Sequence, residues 1–199
     1  MLDAAARAFA RGGYHATTMQ DIAREAGYTP PSLYVYFEGK EQIFVELATL
    51  LSREFMAAFS EPMPAEALLP ERLEILLTRL FATADRYRDA VTTFMVARLS
   101  GETLLSQGMT SGTNQGAHFS SVSLLTSWLR ANTKRGELGE RRLEDLGVAL
   151  AGLAHAFCIQ WLSEGKDSAA TTVSRIVPVF LYGALGEPRS AKTTRSRER

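Results

Sequence analysis

An all-α fold is predicted for this 199-residue chain, and three observations predict it. Apolar residues recur three and four apart through successive long segments. No segment shows the two-residue alternation of a strand. Clusters of Gly, Pro, Ser, Thr and Asn fall mostly between the periodic segments, where turns belong. The expected organisation is a compact N-terminal unit over residues 1–46, a larger helical domain over 47–185 and a disordered tail over 186–199.

In residues 1–11, Leu2, Ala5, Ala6, Phe9 and Ala10 share one helical face, and Gly12-Gly13 ends the helix. Thr17 or Thr18 is placed to cap a second helix, with Gln20 or Asp21 closing the reciprocal pair. Met19, Ile22, Ala23 and Ala26 form its inner face. Gly27 follows, where the chain leaves the helix in a left-handed conformation. Thr29 is placed to cap a third helix, with Pro30 at the first position, where no amide hydrogen is needed. Leu33 and Phe37, four apart, turn inward together, and Gly39 ends this short helix after about two turns. Two helices joined by a short Gly-containing turn are a helix-turn-helix unit. The outer face of its second helix is polar and aromatic, which suits a major groove.

The run Gly13-Tyr14, Thr17-Thr18, Asp21-Ile22-Ala23, Ala26-Gly27, Leu33-Tyr34, Tyr36-Phe37, Lys40-Glu41 and Phe44 resembles the N-terminal DNA-binding domain of the tetracycline-repressor (TetR/AcrR) family. The match covers about the first quarter of the chain without a gap. The resemblance implies that Thr29, Ser32, Tyr34, Tyr36 and Lys40 sit where the family touches DNA. Pro31 lies on the same outer face, and Thr17 and Thr18 are placed to meet the backbone across the groove. Pro30-Pro31 stands where polar residues or glycine are common in the family. Hydrogen-bonded readout is expected to be poor there, and contact with thymine methyls or readout of shape correspondingly more important.

Charge alone does not point to nucleic acid. The chain has 22 basic and 22 acidic residues. Within residues 1–52 the basic groups are Arg7, Arg11, Arg24 and Lys40, against Asp3, Asp21, Glu25, Glu38, Glu41 and Glu46. So acidic a reader is expected to act as half of a pair, which doubles its few phosphate contacts. The single cysteine, Cys158, excludes an internal disulfide. No charge-free apolar stretch long enough to span a bilayer is read from the sequence, and no leader. A cytoplasmic location without membrane contact is expected.

A long helix is predicted from Lys40 to about Phe59, broken by Ser60-Glu61-Pro62-Met63-Pro64. Further helices are predicted over Leu69 to about Arg88, Ala90 to about Leu105, Phe119 to Ala131, Leu143 to Trp161 and Ala169 to about Leu185. Ser106 to Gly116 reads as a mobile connection, and Pro178 is expected to kink the last helix. The family resemblance implies an effector pocket among the central helices. Phe81, Phe94, Met95, Phe119, Trp128, His155 and Trp161 are its candidate lining, although aromatics at helical spacing serve a plain core equally well. Leu146, Leu150, Leu153 and Phe157, with Ile176, Val177 and Phe180, are the candidate dimer interface. Beside the first set runs a stripe of small residues, Gly147, Ala151, Ala154 and Cys158, which would let helices approach closely.

His155 and Cys158 are three apart, with His118 a distant third candidate. No fourth ligand accompanies them, so no metal or other cofactor is expected. Nucleophile elbows, zinc-hydrolase motifs and phosphate-binding Gly loops are absent, and no enzymatic activity is expected. The sequence therefore reads as a homodimeric transcriptional regulator released from a pseudo-palindromic operator by a small molecule. The alternative is a helical carrier or interaction protein without specific DNA binding.

Overall fold

The structure, a computed structural model, describes residues 1–99, 121–134, 136–165 and 167–183. The predicted connection Ser106–Gly116, the candidates His118 and Phe119, and the tail from residue 186 lie outside them. Nine helices occupy the described residues, and no strand occurs among them. They are α1 (Leu2–Gly12), α2 (Met19–Ala26), α3 (Pro30–Tyr34), α4 (Lys40–Ser60), α5 (Leu69–Arg86), α6 (Arg88–Leu99), α7 (Ser121–Asn132), α8 (Leu143–Glu164) and α9 (Ala169–Tyr182).

Thr18 caps α2. Its hydroxyl accepts from the Asp21 amide at 3.2 Å, and its own amide donates to Asp21 Oδ2 at 3.0 Å. Gly27 stops the helix at φ 72°, a conformation that penalises any side chain with a Cβ. Helix α3 is shorter than its predicted two turns. The amides of Tyr36 and Phe37 both return to the Leu33 carbonyl, at 3.0 and 2.9 Å, which tightens the last turn and ends the helix at Tyr34. Helix α4 runs unbroken for 21 residues, so the expected boundary at residue 46 falls inside one continuous helix.

The buried side chains form one continuous cluster, from Ala5 in α1 to Phe180 in α9. Within it α1 packs on α2, α4 and α6, and α5 packs on α4 and α9. Phe44 of α4 meets Phe94 of α6 at 4.5 Å between ring centroids, and Tyr14 at 4.8 Å. The N-terminal unit is thereby joined to the larger domain by aromatic packing as well as by α4. Helix α7 packs on α8, where Gly147 removes the side chain that would otherwise collide with Thr126. The small stripe works as expected on this side: Gly147, Ala151 and Cys158 are buried and Ala154 is half-buried.

Two features of the larger domain were not foreseen. Arg72 is buried, and its guanidinium donates to the carbonyls of Ala67 and Asn132, pinning the end of α7 to the segment before α5. Helix α8 is long and apolar enough to cross a membrane by length and composition, with mean hydropathy 1.5, contrary to the expectation that no such stretch exists. Its charged residues, Glu144, Asp145 and Glu164, sit at its two ends and leave the middle uncharged.

Candidate nucleic-acid interface

Helix α3 buries Leu33 completely and half-buries Phe37, which fixes its inner side. Tyr34 on its outer side, and Val35 and Tyr36 in the turn just past its end, are exposed by 56, 77 and 63%, with Pro31 also exposed. Tyr28, in the turn before α3, is 52% exposed and was missed in the sequence reading. The signal was available, since an aromatic residue directly after the helix-ending Gly27 has no helical face to join. The start of α3 offers few free amides. Pro30 and Pro31 have none, and the Ser32 amide is taken by the Thr29 carbonyl at 3.0 Å. Thr29 therefore does not cap the helix with its side chain; its hydroxyl pairs with Ser32 Oγ at 2.9 Å.

Thr17 requires a correction. Its side chain is turned inward, only 4% exposed, and its hydroxyl donates to the Gly13 carbonyl at 2.7 Å. It ties the turn to the end of α1 and is not available to DNA. Periodicity places Thr17 before the cap but does not give its direction. Thr18 stays at the surface, with its hydroxyl engaged by Asp21.

Each basic side chain of this unit has a partner. Glu25 of α2 receives Arg7 at 2.7 Å and also Arg11, both from α1. These bonds hold the Glu25 carboxyl below its ordinary pKa. Arg24 pairs with Asp21 at 2.6 Å. Asp21 is held low chiefly by the bonds from Thr18, with Arg24 adding to them. Lys40 Nζ donates to the carbonyls of Tyr14, His15 and Thr17 at 3.0, 2.9 and 3.0 Å. The outer face of α3 is thus neutral, aromatic and hydroxyl-bearing. It can offer hydroxyl groups to phosphate oxygens and apolar surface to base edges.

Among the described residues, the candidate effector residues are spread through the core. Phe81 stacks on Trp161 at 5.6 Å, Phe94 on Phe44, and Trp128 is buried elsewhere in the core. Met95 is half-buried beside Phe94, and His155 is half-buried on α8. A cleft of about 580 Å³ opens instead among Leu68, Leu69, Pro70, Leu138, Leu181 and Tyr182, with Glu137, Glu140 and Arg141 beside them. None of the predicted lining residues borders it.

The candidate dimer residues also require correction. Leu146, Leu150, Ile176, Val177 and Phe180 are buried within the single chain, while Leu153 and Phe157 are half-buried. The first five belong to the chain's own core because α8 and α9 turn these faces toward α7 and α5, while Leu153 and Phe157 keep part of their surface uncovered. The uncovered apolar surface lies on other faces: Val148, Gly152, Ala156 and Ile159 of α8, and Val179 of α9.

A short helix held across a second helix by a buried leucine, at the base of a larger helical domain, defines a helix-turn-helix protein. Residues 1–47 match the family described as bacterial regulatory proteins, tetR family. The fatty acid metabolism regulator protein of Bacillus subtilis (strain 168) is 29% identical over 101 residues, covering 50% of this chain and 52% of that protein. The chain thus spans about half the length of this curated relative. The fatty acid degradation regulator FadR of Bacillus halodurans superposes with TM-score 0.70 at 19% identity, over 94% of this chain and 95% of that one. The regulator FadR of B. subtilis, solved in complex with stearoyl-CoA, gives 0.57 at 16% identity, over 92% of this chain and 96% of that one. At these identities the two structures establish the fold, an all-helical chain with an N-terminal helix-turn-helix and a larger C-terminal helical domain.

Proposed function

We propose that the protein is a ligand-released transcriptional repressor, acting in the cytoplasm as a homodimer on a pseudo-palindromic operator. The observation that carries this reading is the outer face of α3. Three consecutive large side chains, Tyr34, Val35 and Tyr36, are exposed at the end of α3, within the residues that match the tetR family. A small soluble unit seldom leaves such a group in water without a partner for it. On this reading Tyr28, Thr29, Pro31, Ser32, Tyr34 and Tyr36 face the groove, and Thr18 approaches the backbone.

The dimer reading rests on α8. Only 33% of its most apolar window is buried within the chain, and Val148, Gly152, Ala156 and Ile159 share the uncovered side. A second copy meeting this side would cover it and set two α3 helices at a fixed separation. We divide the chain accordingly into a DNA-reading unit over 1–46, an effector and dimerisation domain over 47–185 and a tail from 186. An effector that prefers one arrangement of the larger domain would shift α4 and change that separation. A long-chain acyl thioester is the first effector to test, given the stearoyl-CoA bound by the B. subtilis regulator of the same fold.

Selection from a randomised duplex library, followed by anisotropy titration, tests the proposal. Enrichment of an inverted repeat is expected, with weaker binding after Tyr36→Phe or Tyr34→Phe. Recovery of no preferred sequence would reject the regulator reading and leave a carrier or interaction protein.

A further inference from the structure

We infer that Lys40 is a positioning residue that fixes the helix-turn-helix to α4, and not a phosphate contact. The inference rests on the regulator reading above. Lys40 is the first residue of α4, and a cation is electrostatically misplaced at a helix N-terminus, where the helix dipole is positive. Its surroundings explain the placement. An ammonium group has three hydrogens, and three carbonyls, those of Tyr14, His15 and Thr17, stand within 3.0 Å of Nζ. The same ammonium lies 4.9 Å from the centroid of the Tyr14 ring. All its donors are thereby directed into the turn between α1 and α2. Reaching a phosphate would strip these carbonyls of their donor, and the bonds to Tyr14 and Thr17 are part-buried.

Through these bonds Lys40 ties that turn to the start of α4. Gly39, the N-cap of α4, supplies no side-chain bond. The turn leads directly into Thr18, the cap of α2, and so into the angle at which α2 carries α3. Tyr14 holds the turn from inside, packed between Phe9 of α1 and Phe44 of α4. Phe44 in turn touches Phe94 of α6. Lys40 closes the same junction from outside, so a displacement of α4 carries the reading unit with it as one body.

The test compares Lys40→Met with Lys40→Arg, each checked for its helical circular dichroism. Arginine keeps the charge, but its planar fork does not match three converging carbonyls. Both variants are expected to lose about tenfold or more in operator affinity at fixed salt. The slope of log affinity against log salt is expected to stay at the wild-type value. Amide exchange across residues 13–18, measured on free protein, is expected to speed up in both variants. A phosphate contact would show itself by rescue in Lys40→Arg and by a salt slope shallower in Lys40→Met by about 0.9 for each phosphate lost. That result overturns the inference. So does wild-type operator affinity in both variants, or unchanged exchange across the turn. The exchange readout needs no DNA, so it judges the tie even if the wild-type protein proves to have no operator.

Discussion

Gly147 of α8 lies directly against Thr126 of α7: a Cβ on the glycine would stand 1.9 Å from Thr126 Oγ1. Gly147→Ala is therefore expected to destabilise the protein by about 1–3 kcal/mol through overpacking, despite the better helix propensity of alanine. Thr126→Ala removes the nearest obstructing atom, so the double variant should be more stable than the sum of the two single changes. Urea unfolding of all four proteins measures this, and strict additivity would disprove the close approach.

Glu25 gathers Arg7 and Arg11 onto α2. Its carboxyl is held below the ordinary value of 4.5, so the stability it contributes is present above that pH and disappears as pH falls through the lower folded-state value. Glu25→Gln should flatten the acid limb of the stability curve below about pH 4.5, and denaturation at fixed pH values reads it out. The same variant frees two arginines. Its affinity for nonspecific DNA should rise, with a steeper salt dependence than that of wild type.

Burial pushes the Cys158 thiol up to about 11 from an ordinary 9.0, with Arg88 opposing the shift. At pH 8 the native thiol should therefore resist an aromatic disulfide reagent and react rapidly once the protein is unfolded. The stability tied to the protonated thiol is complete below pH 9 and declines as pH rises through about 11. Rapid labelling of the folded protein at pH 8 would contradict the buried placement.

Ile159 and Leu150 lie on one helix and should respond in opposite ways. Ile159→Lys places a charge on the uncovered side of α8, so the folded chain should persist while the dimer is lost, as light scattering after gel filtration would show. Leu150 is fully buried, and Leu150→Ala should cost about 2–5 kcal/mol of stability. A monomeric wild type, or an Ile159→Lys protein that stays dimeric, would reject this face as the interface.

Local signals in the sequence were read correctly where one residue type has one physical use. The left-handed Gly27 and Pro30 at the head of α3 stand where expected, and of the alternatives open for the capping box the structure has Thr18 with Asp21. Direction was harder. Thr17 adjoins a cap and yet turns inward, because the path of a turn is not periodic. On α8 nearly every face is apolar, so spacing marks a stripe without saying whether its own chain or another covers it. The stripe that makes Leu146 and Leu150 candidates for a subunit interface is covered by the chain's own core. The partners of Lys40 lie 23 to 26 residues away and are backbone carbonyls, which carry no side-chain identity to read.

Pro30 and Pro31 have a consequence for the energetics of recognition. Each ring holds its φ near −65° in the unfolded chain as well as the folded one. The segment entering the groove thus has less conformational entropy to lose than one of ordinary residues. Between Gly27, set by its left-handed turn, and Leu33, locked in the core, little freedom remains to be frozen. On the regulator reading proposed above, such a reader would meet its operator already shaped. Its discrimination would then fall on the DNA, which must supply whatever bending the fit requires.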